Sequence, residues 1–118
     1  MTENRRGTFR VSEIWVVRCK PVQPDPKREV YEQEFVGGTL DLAEKGMLIR
    51  CTESIKIGEM LQLEFKLKKG GELLTQIGQV IRHDKAMEKG IYYMAVEFPS
   101  TDPKNKAAFK AYLSTKTK

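Results

Sequence analysis

The sequence has few of the residues that metal sites and catalytic centres require. His83 is the only histidine, and the two cysteines, Cys19 and Cys51, lie too far apart in the sequence to form a metal-ligand pair. The four serines lie in no recognisable nucleophile turn, and the glycine-rich phosphate-binding and dinucleotide-binding fingerprints are absent. We therefore expect neither an enzyme nor a metal-binding protein, and we expect the cysteines to be buried, reduced thiols.

Long apolar runs are also missing. No stretch approaches the roughly 18 to 20 apolar residues of a membrane-spanning helix. Residues 1–10 contain arginine with no apolar run behind it, so they do not resemble a signal peptide. The expectation is a cytoplasmic protein without membrane insertion. The chain has 118 residues, of which 40% are hydrophobic, and this predicts a single domain with a single core.

The positive charge of the sequence is concentrated at its two ends. The formal net charge is +5, from 21 Lys and Arg against 16 Asp and Glu. Residues 1–20 carry a net +3 and residues 101–118 a net +4, while the 80 residues between them carry −2. Basic ends favour an anionic partner, and nucleic acid, nucleotide and anionic membrane are all compatible with this charge.

Alternation of apolar and polar residues predicts six short strands. The clearest runs from Met60 to Leu67, where apolar side chains share one face and polar side chains share the other. The remaining strands are predicted at residues 14–19, 31–36, 47–51, 73–82 and 91–98. The second is expected to continue extended through Leu40 and to turn near Asp41. Gly78 is expected to mark a bulge or a close approach.

After the last strand, the apolar period becomes that of a helix. Residues 101–103 offer an N-cap followed by proline at the first helical position. Phe109 and Tyr112 belong to a narrow apolar stripe, and a helix this short needs packing to be stable. A docked helix is therefore expected, with a frayed basic tail as the alternative. Together these elements predict a small antiparallel barrel or sandwich with one C-terminal helix.

Two short segments have the chemistry of a ligand site. Residues 5–10 carry Arg5, Arg6 and Arg10, whose guanidinium groups pair with phosphate or with the guanine O6/N7 edge and also stack on purines. Residues 41–46 carry Asp41, an acceptor for guanine donors, and Gly46, which allows positive φ or close backbone approach. Taken separately, the first segment is equally typical of an arm that binds any polyanion, and the second of an ordinary turn.

Taken together, the two segments resemble the paired signature of the PilZ domain family. That signature is Arg-x-x-x-Arg before the first strand, and later Asp or Asn followed by x-Ser-x-x-Gly. Arg6 with Arg10, and Asp41 with Gly46, match it, while Ala43 stands in place of the serine. Segments around residues 58–65, 78–82 and 94–98 extend the resemblance through most of the chain. It implies a mainly β fold, a six-stranded antiparallel β-barrel with one C-terminal α-helix, that binds the bacterial second messenger cyclic di-GMP.

The resemblance also implies roles for the arginines. Arg6 and Arg10 would clasp phosphate and the Hoogsteen edge of guanine, and Arg5 would stack on or hydrogen-bond to a second guanine. In relatives, an additional arginine at this place is associated with a stacked ligand dimer, so one or two messenger molecules per chain are expected. Arg82 is a lower-ranked candidate, as a cation from a later strand that would reach the same face.

The second signature segment would complete the ligand site. Asp41 would read guanine donors from the barrel side, and Gly46 would shape the loop. Because Ala43 lacks the hydroxyl of the family's serine, one neutral hydrogen bond is lost, which costs about 0.5–1.5 kcal/mol or roughly a factor of 3 to 10 in affinity. The substitution is expected to weaken messenger binding without abolishing it.

As one domain, the chain is predicted to comprise a flexible basic arm (residues 1–12), the barrel (13–99), and a C-terminal helix with a basic tail (100–118). A doubly anionic ligand would neutralise the arm and fold it across the barrel. The implied function is a signalling adaptor toward an unidentified downstream protein in motility, biofilm or polysaccharide control, with no cofactor besides the messenger. The alternatives are a PilZ-like interaction module with weak or lost messenger binding, and a small basic barrel that binds single-stranded nucleic acid.

Overall fold

The computed structural model describes residues 15–116. Over this range, six strands form a closed antiparallel barrel in the order β1-β2-β3-β6-β5-β4, and one α-helix packs against it. The elements are β1 (Val16–Pro21), β2 (Phe35–Ala43), β3 (Gly46–Cys51), β4 (Met60–Lys66), β5 (Leu73–Lys85), β6 (Tyr92–Glu97) and α1 (Pro103–Lys116). The predicted fold class is confirmed.

Alternation along each strand places the apolar side chains inside the barrel. In β4, Leu61, Leu63 and Phe65 point inward and are at most 1% exposed, while the residues between them lie on the outer surface. Burial of a side chain of this size contributes about 1.5–3 kcal/mol relative to exposure. The same period of two in the other strands therefore produces a single core.

Helix α1 covers one end of this core. Phe109 is fully buried and its ring lies 6.0 Å from that of Phe65 and 5.6 Å from that of Phe98. The helix begins with a side-chain cap, because Asp102 Oδ1 accepts a hydrogen bond from the backbone N–H of Asn105 at 2.8 Å. The docked helix predicted from the sequence is confirmed over its described length.

Two buried amide side chains connect α1 to the barrel. Asn105 Nδ2 donates to the backbone oxygen of Thr75 at 2.6 Å and to Gln76 Oε1 at 3.1 Å. Gln76 Nε2 in turn donates to the backbone oxygen of Ser100 at 2.8 Å. Asn105 and Gln76 are both only 4% exposed, and these contacts satisfy polar groups that would otherwise be costly to bury.

The predicted strand at residues 31–36 is wrong over its first half. A 3₁₀ turn occupies Val30–Gln33, and the strand begins only at Phe35. The Gln33 side chain explains the difference, because it binds both the N–H of Asp25 at 2.8 Å and its carbonyl at 3.0 Å. These bonds hold the proline-rich loop against the turn, where an extended strand would separate them.

The turn expected near Asp41 occurs later in the chain. β2 continues through Asp41 to Ala43, with a register shift between Thr39 and Asp41 that keeps it paired with β3. β5 is longer than predicted and pairs with β6 as far as Lys85. Gly78 marks a close approach: an added Cβ would lie 3.2 Å from the side chains of Leu63 and Val96.

Candidate functional site

The second signature segment forms the hairpin between β2 and β3. Ala43 pairs with Gly46 across a two-residue turn of Glu44 and Lys45. The turn is attached to the end of β6, because the backbone N–H of Phe98 donates to the carbonyl of Lys45 at 2.8 Å. Asp41, Ala43 and Gly46 thereby lie on one hairpin, whose turn comes later in the chain than the sequence predicts.

Gly46 is required by a close approach between β3 and β6. A Cβ on Gly46 would lie 2.6 Å from the carbonyl oxygen of Val96, closer than real Cβ contacts come. The contacted atom belongs to the backbone and cannot rotate away. Of the two reasons for glycine considered from the sequence, the structure supports close approach, since the positive-φ glycines in the described part are Gly58, Gly70 and Gly90.

A row of side chains crosses the outer face of the barrel from this hairpin. Asp41 pairs with Leu48, Leu48 with Ala95, and Ala95 with Arg82. Directly paired residues point to the same face of a sheet, and the fully buried Leu42 next to Asp41 shows that this face is the outer one. Three strand spacings place the Cα atoms of Asp41 and Arg82 about 14 Å apart.

Between the two charged ends of this row lies an apolar floor. Leu48 and Ala95 are half-buried, and together with Asp41, Ala43 and Gly46 they line a shallow depression of about 200 Å³. Gly46 contributes only backbone atoms to this lining. A flat, partly apolar ring system would be accommodated by this floor, with the Asp41 carboxylate at its edge to accept hydrogen bonds.

The far end of the row already contains an ion pair. Arg82 Nε lies 2.9 Å from Asp84 Oδ2, and the two side chains are 69% and 52% exposed. A pair this exposed contributes at most about 1 kcal/mol, so an anionic ligand would displace Asp84 at small cost. Arg82 therefore shares the face of Asp41, as its sequence-based role requires, but lies three strands away from it.

A second row of side chains extends the same face. Arg50 pairs with Tyr93, and Tyr93 pairs with Asp84 beside Arg82. Arg50 is held by Glu88, whose Oε1 lies 3.0 Å from the guanidinium. Leu48, Ala95, Arg50 and Tyr93 were not identified from the sequence, although the outward positions of their alternating strands are the signal that would have indicated them.

The arginines of the first signature segment, Arg5, Arg6 and Arg10, lie outside the described residues, as does the predicted arm at residues 1–12. Among residues 15–116, no cluster of three or more His, Cys, Asp or Glu side chains is arranged to hold a metal ion. No helix within the same range has the length and apolar character needed to cross a membrane.

His83 has a structural role in the β3–β4 connection. Its ring packs on Tyr92 with centroids 4.8 Å apart, and its Nε2 lies 3.2 Å from the backbone nitrogen of Ile55 and 3.0 Å from the backbone oxygen of Glu53. These contacts fasten the loop to the end of β5. A histidine that activates a nucleophile hydrogen-bonds to the nucleophilic side chain. The contacts given for His83 are with backbone atoms and an aromatic ring.

In the comparison with protein families, the model described as "PilZ domain" matches residues 4–115. Comparison with curated proteins gives no significant match. Several solved structures share the fold, including the following three. The Bacillus subtilis Inhibitor of motility (MotI/DgrA) superposes with a TM-score of 0.72 at 17% identity, over 96% of this chain and 51% of that one.

MrkH of K. pneumonia in its apo state superposes with a TM-score of 0.68 at 12% identity, over 98% of this chain and 53% of that one. The PilZ domain of YcgR from Escherichia coli, solved with c-di-GMP, gives 0.66 at 15% identity, over 96% and 92%. The chain thus spans about half the length of MotI and MrkH, and nearly all of the YcgR domain.

Proposed function

Because the chain belongs to the PilZ domain family, we propose that it binds cyclic di-GMP on the outer face built by β2, β3, β6 and β5. The observation that carries the proposal is the hairpin of Asp41, Ala43 and Gly46 beside the apolar floor, with Arg82 at the other end of the row. The YcgR domain, which has the same fold, was solved with this ligand.

In the proposed complex, Asp41 accepts hydrogen bonds from the N1–H and N2–H groups of one guanine. Only an acceptor can read these donors, so a lysine or arginine in its place would not substitute for it. The guanine plane lies over Leu48 and Ala95, where it covers apolar surface that is otherwise in contact with water. Gly46 lines the same depression and presents only its backbone to the ring.

The charge of the messenger is met from the N-terminal segment. Arg6 and Arg10 are proposed to clasp a phosphate and the Hoogsteen edge of guanine, and Arg5 to contact a second guanine. Neutralisation of these three cations by a dianion would order residues 1–12 across the barrel face. Arg82, already paired with Asp84, would add a weaker contact to the same ligand.

Downstream of binding, we propose an adaptor role in which the ordered N-terminal segment and the occupied face form a new surface for another protein. One structural relative is named Inhibitor of motility, and this supports motility as the controlled process. Polysaccharide and biofilm control, and a cytoplasmic location, belong to the same proposal.

Isothermal titration calorimetry with cyclic di-GMP tests the binding step. We expect micromolar or tighter binding to the full chain, lost in Arg10→Ala and severely weakened in Asp41→Ala. Asp41→Asn is the matched conservative variant, because the family signature accepts either residue, and it should retain binding. Lys27→Ala removes an exposed cation from the β1–β2 connection, which holds no residue of the proposed site, and should change nothing.

The same titration separates the alternatives. No heat with cyclic di-GMP would favour an interaction module that has lost messenger binding, with Ala43 as the departure from the family pattern. Binding of a short single-stranded oligonucleotide in place of the messenger would favour the alternative of a small basic barrel that binds single-stranded nucleic acid. A stoichiometry of two messengers per chain, reduced to one in Arg5→Ala, would assign Arg5 to a stacked ligand dimer.

A further inference from the structure

A groove opens on the side of the barrel opposite the hairpin site. β1 and β4 pair only from Arg18 opposite Glu64 to Pro21 opposite Leu61, and within residues 15–116 their pairing does not continue toward Trp15 and Lys66. Beyond Arg18, β1 stays paired with β2, and β4 with β5, so the two strands separate from each other. The resulting groove has a volume of about 500 Å³.

The floor of the groove is aromatic and belongs to the barrel core. The rings of Trp15 and Phe65 stack at 5.9 Å with planes only 1° apart, and both residues belong to the core. Val16 and Leu73 project at its sides and are 68% and 53% exposed. Exposed aliphatic side chains beside a fixed aromatic floor favour the binding of further apolar side chains from outside.

The rim of the groove is cationic. Arg18, Lys66, Lys68 and Lys69 line it and are all exposed. None of the four forms an ion pair with another residue of the described range, so their charge is not neutralised internally. The one acidic lining residue, Glu64, is held by Lys20, with 3.5 Å between the charged atoms.

We propose that this groove binds an extended acidic peptide segment of a partner protein. Separated strands leave backbone N–H and C=O groups on their facing edges, and an extended peptide is the ligand that can pair with such edges. Its acidic side chains would meet the cationic rim on the outer face, while the alternate apolar side chains, which point to the other face, would reach the floor of Trp15 and Phe65. The two-residue alternation of a paired strand, together with the positive charge of the rim, favours a segment in which Glu or Asp alternates with aliphatic residues.

Two other occupants fit the groove less well. The chain's own residues 1–14 carry three arginines against two glutamates, so their charge has the same sign as the rim. A membrane surface is flat, whereas the aromatic rings of Trp15 and Phe65 lie on the floor of a groove beneath a charged rim. The inference does not depend on messenger binding, because no groove residue belongs to the hairpin site.

Fluorescence anisotropy with the full chain tests the proposal. The probe is a short fluorescein-labelled peptide in which Glu alternates with Val, and its counterpart has Lys in place of Glu. We expect saturable binding of the acidic peptide only, weakening as salt is raised because the rim is exposed. The double variant Lys68→Glu, Lys69→Glu should weaken binding about tenfold or more.

The matched control is Lys85→Glu with Lys89→Glu, which reverses two equally exposed charges at the opposite end of β5 and should leave peptide binding unchanged. Leu73→Ser tests the apolar contribution and should weaken binding several-fold without altering its salt dependence. Because all these side chains are exposed, the variants should unfold in urea at the wild-type midpoint, which verifies that each is folded.

Three results would overturn the proposal. These are absence of saturable peptide binding, equal affinity of the wild type and the Lys68→Glu, Lys69→Glu variant, and binding of phosphatidylserine-containing vesicles in place of the peptide. Titration of the same proteins with cyclic di-GMP keeps the two proposals apart. Peptide binding without messenger binding would contradict the proposed function alone, and the reverse result would contradict the groove alone.

Discussion

Replacing Gly46 by alanine tests the closest backbone contact of the hairpin site. The added Cβ would lie 2.6 Å from the carbonyl oxygen of Val96, whereas ordinary contacts of this kind begin near 3.4 Å. The strands β3 and β6 must therefore separate by roughly 0.8 Å at this point. Val96 is 2% exposed and packed in the core, so the movement disturbs buried contacts and should cost about 1–3 kcal/mol.

Urea unfolding followed by the fluorescence of Trp15, the single tryptophan, measures this cost. With a denaturant slope of about 1–1.5 kcal/mol per M for a small domain, the midpoint should fall by about 0.7–3 M. Because the hairpin carries Asp41, the affinity for cyclic di-GMP should fall as well. The unfolding slope should stay unchanged, since the variant alters a contact and leaves the surface exposed on unfolding the same.

Gly78→Ala is the matched control for this experiment. It also adds one Cβ to a glycine in a barrel strand, but the atoms it meets are side-chain carbons of Leu63 and Val96 at 3.2 Å. Such carbons can shift by a few tenths of an ångström, so the cost should be below about 1 kcal/mol. If Gly46→Ala unfolds at the wild-type midpoint, or if Gly78→Ala is the more damaging change, the explanation of Gly46 by close approach is refuted.

Three further predictions concern single side chains. Ala43→Ser should raise the affinity for cyclic di-GMP about 3- to 10-fold in calorimetry. An unchanged affinity would show that the missing hydroxyl does not weaken messenger binding. Phe109→Ala should lower the free energy of unfolding by about 3–5 kcal/mol, because the ring is fully buried, and a loss below 1 kcal/mol would contradict a docked α1. Burial raises the pKa of the Cys19 thiol from 9.0 to about 12, with Cys51 adding to the shift. The unfolded chain therefore ionises first, and stability should fall by up to about 1.4 kcal/mol per pH unit between pH 9 and 12, a slope that Cys19→Ala should reduce.

The barrel was predictable because its strands are half-buried. In β4, the alternation of inward and outward side chains is visible in the sequence and agrees with the structure residue by residue. The strand predicted at residues 31–36 failed because its apolar spacing carries no information about Gln33, whose side chain binds Asp25 eight positions earlier. The local pattern of apolar and polar residues does not predict a side-chain hydrogen bond to a residue eight positions away.

The candidate site was predictable only in part, for a related reason. Asp41 and Gly46 lie in one short signature, so their proximity follows from the chain itself. Leu48 and Ala95 join them through the pairing register of β2, β3 and β6, which a single sequence does not specify. The groove between β1 and β4 depends on where two strands separate, and it too is a property of the assembled barrel.

The amide hydrogen bonds beneath α1 determine how the helix is oriented on the barrel more than they stabilise its attachment. Apolar contact is non-directional, so a narrow stripe led by Phe109 would tolerate more than one rotation of the helix on the barrel. The hydrogen bonds of Asn105 and Gln76 allow only one position of the helix. If the helix slid by one turn, about 5.4 Å, the buried amides would lose these bonds, at a cost of about 1–3 kcal/mol each. A pair of polar residues at an apolar boundary thus selects one seating of α1 among several that hydrophobic burial alone would permit.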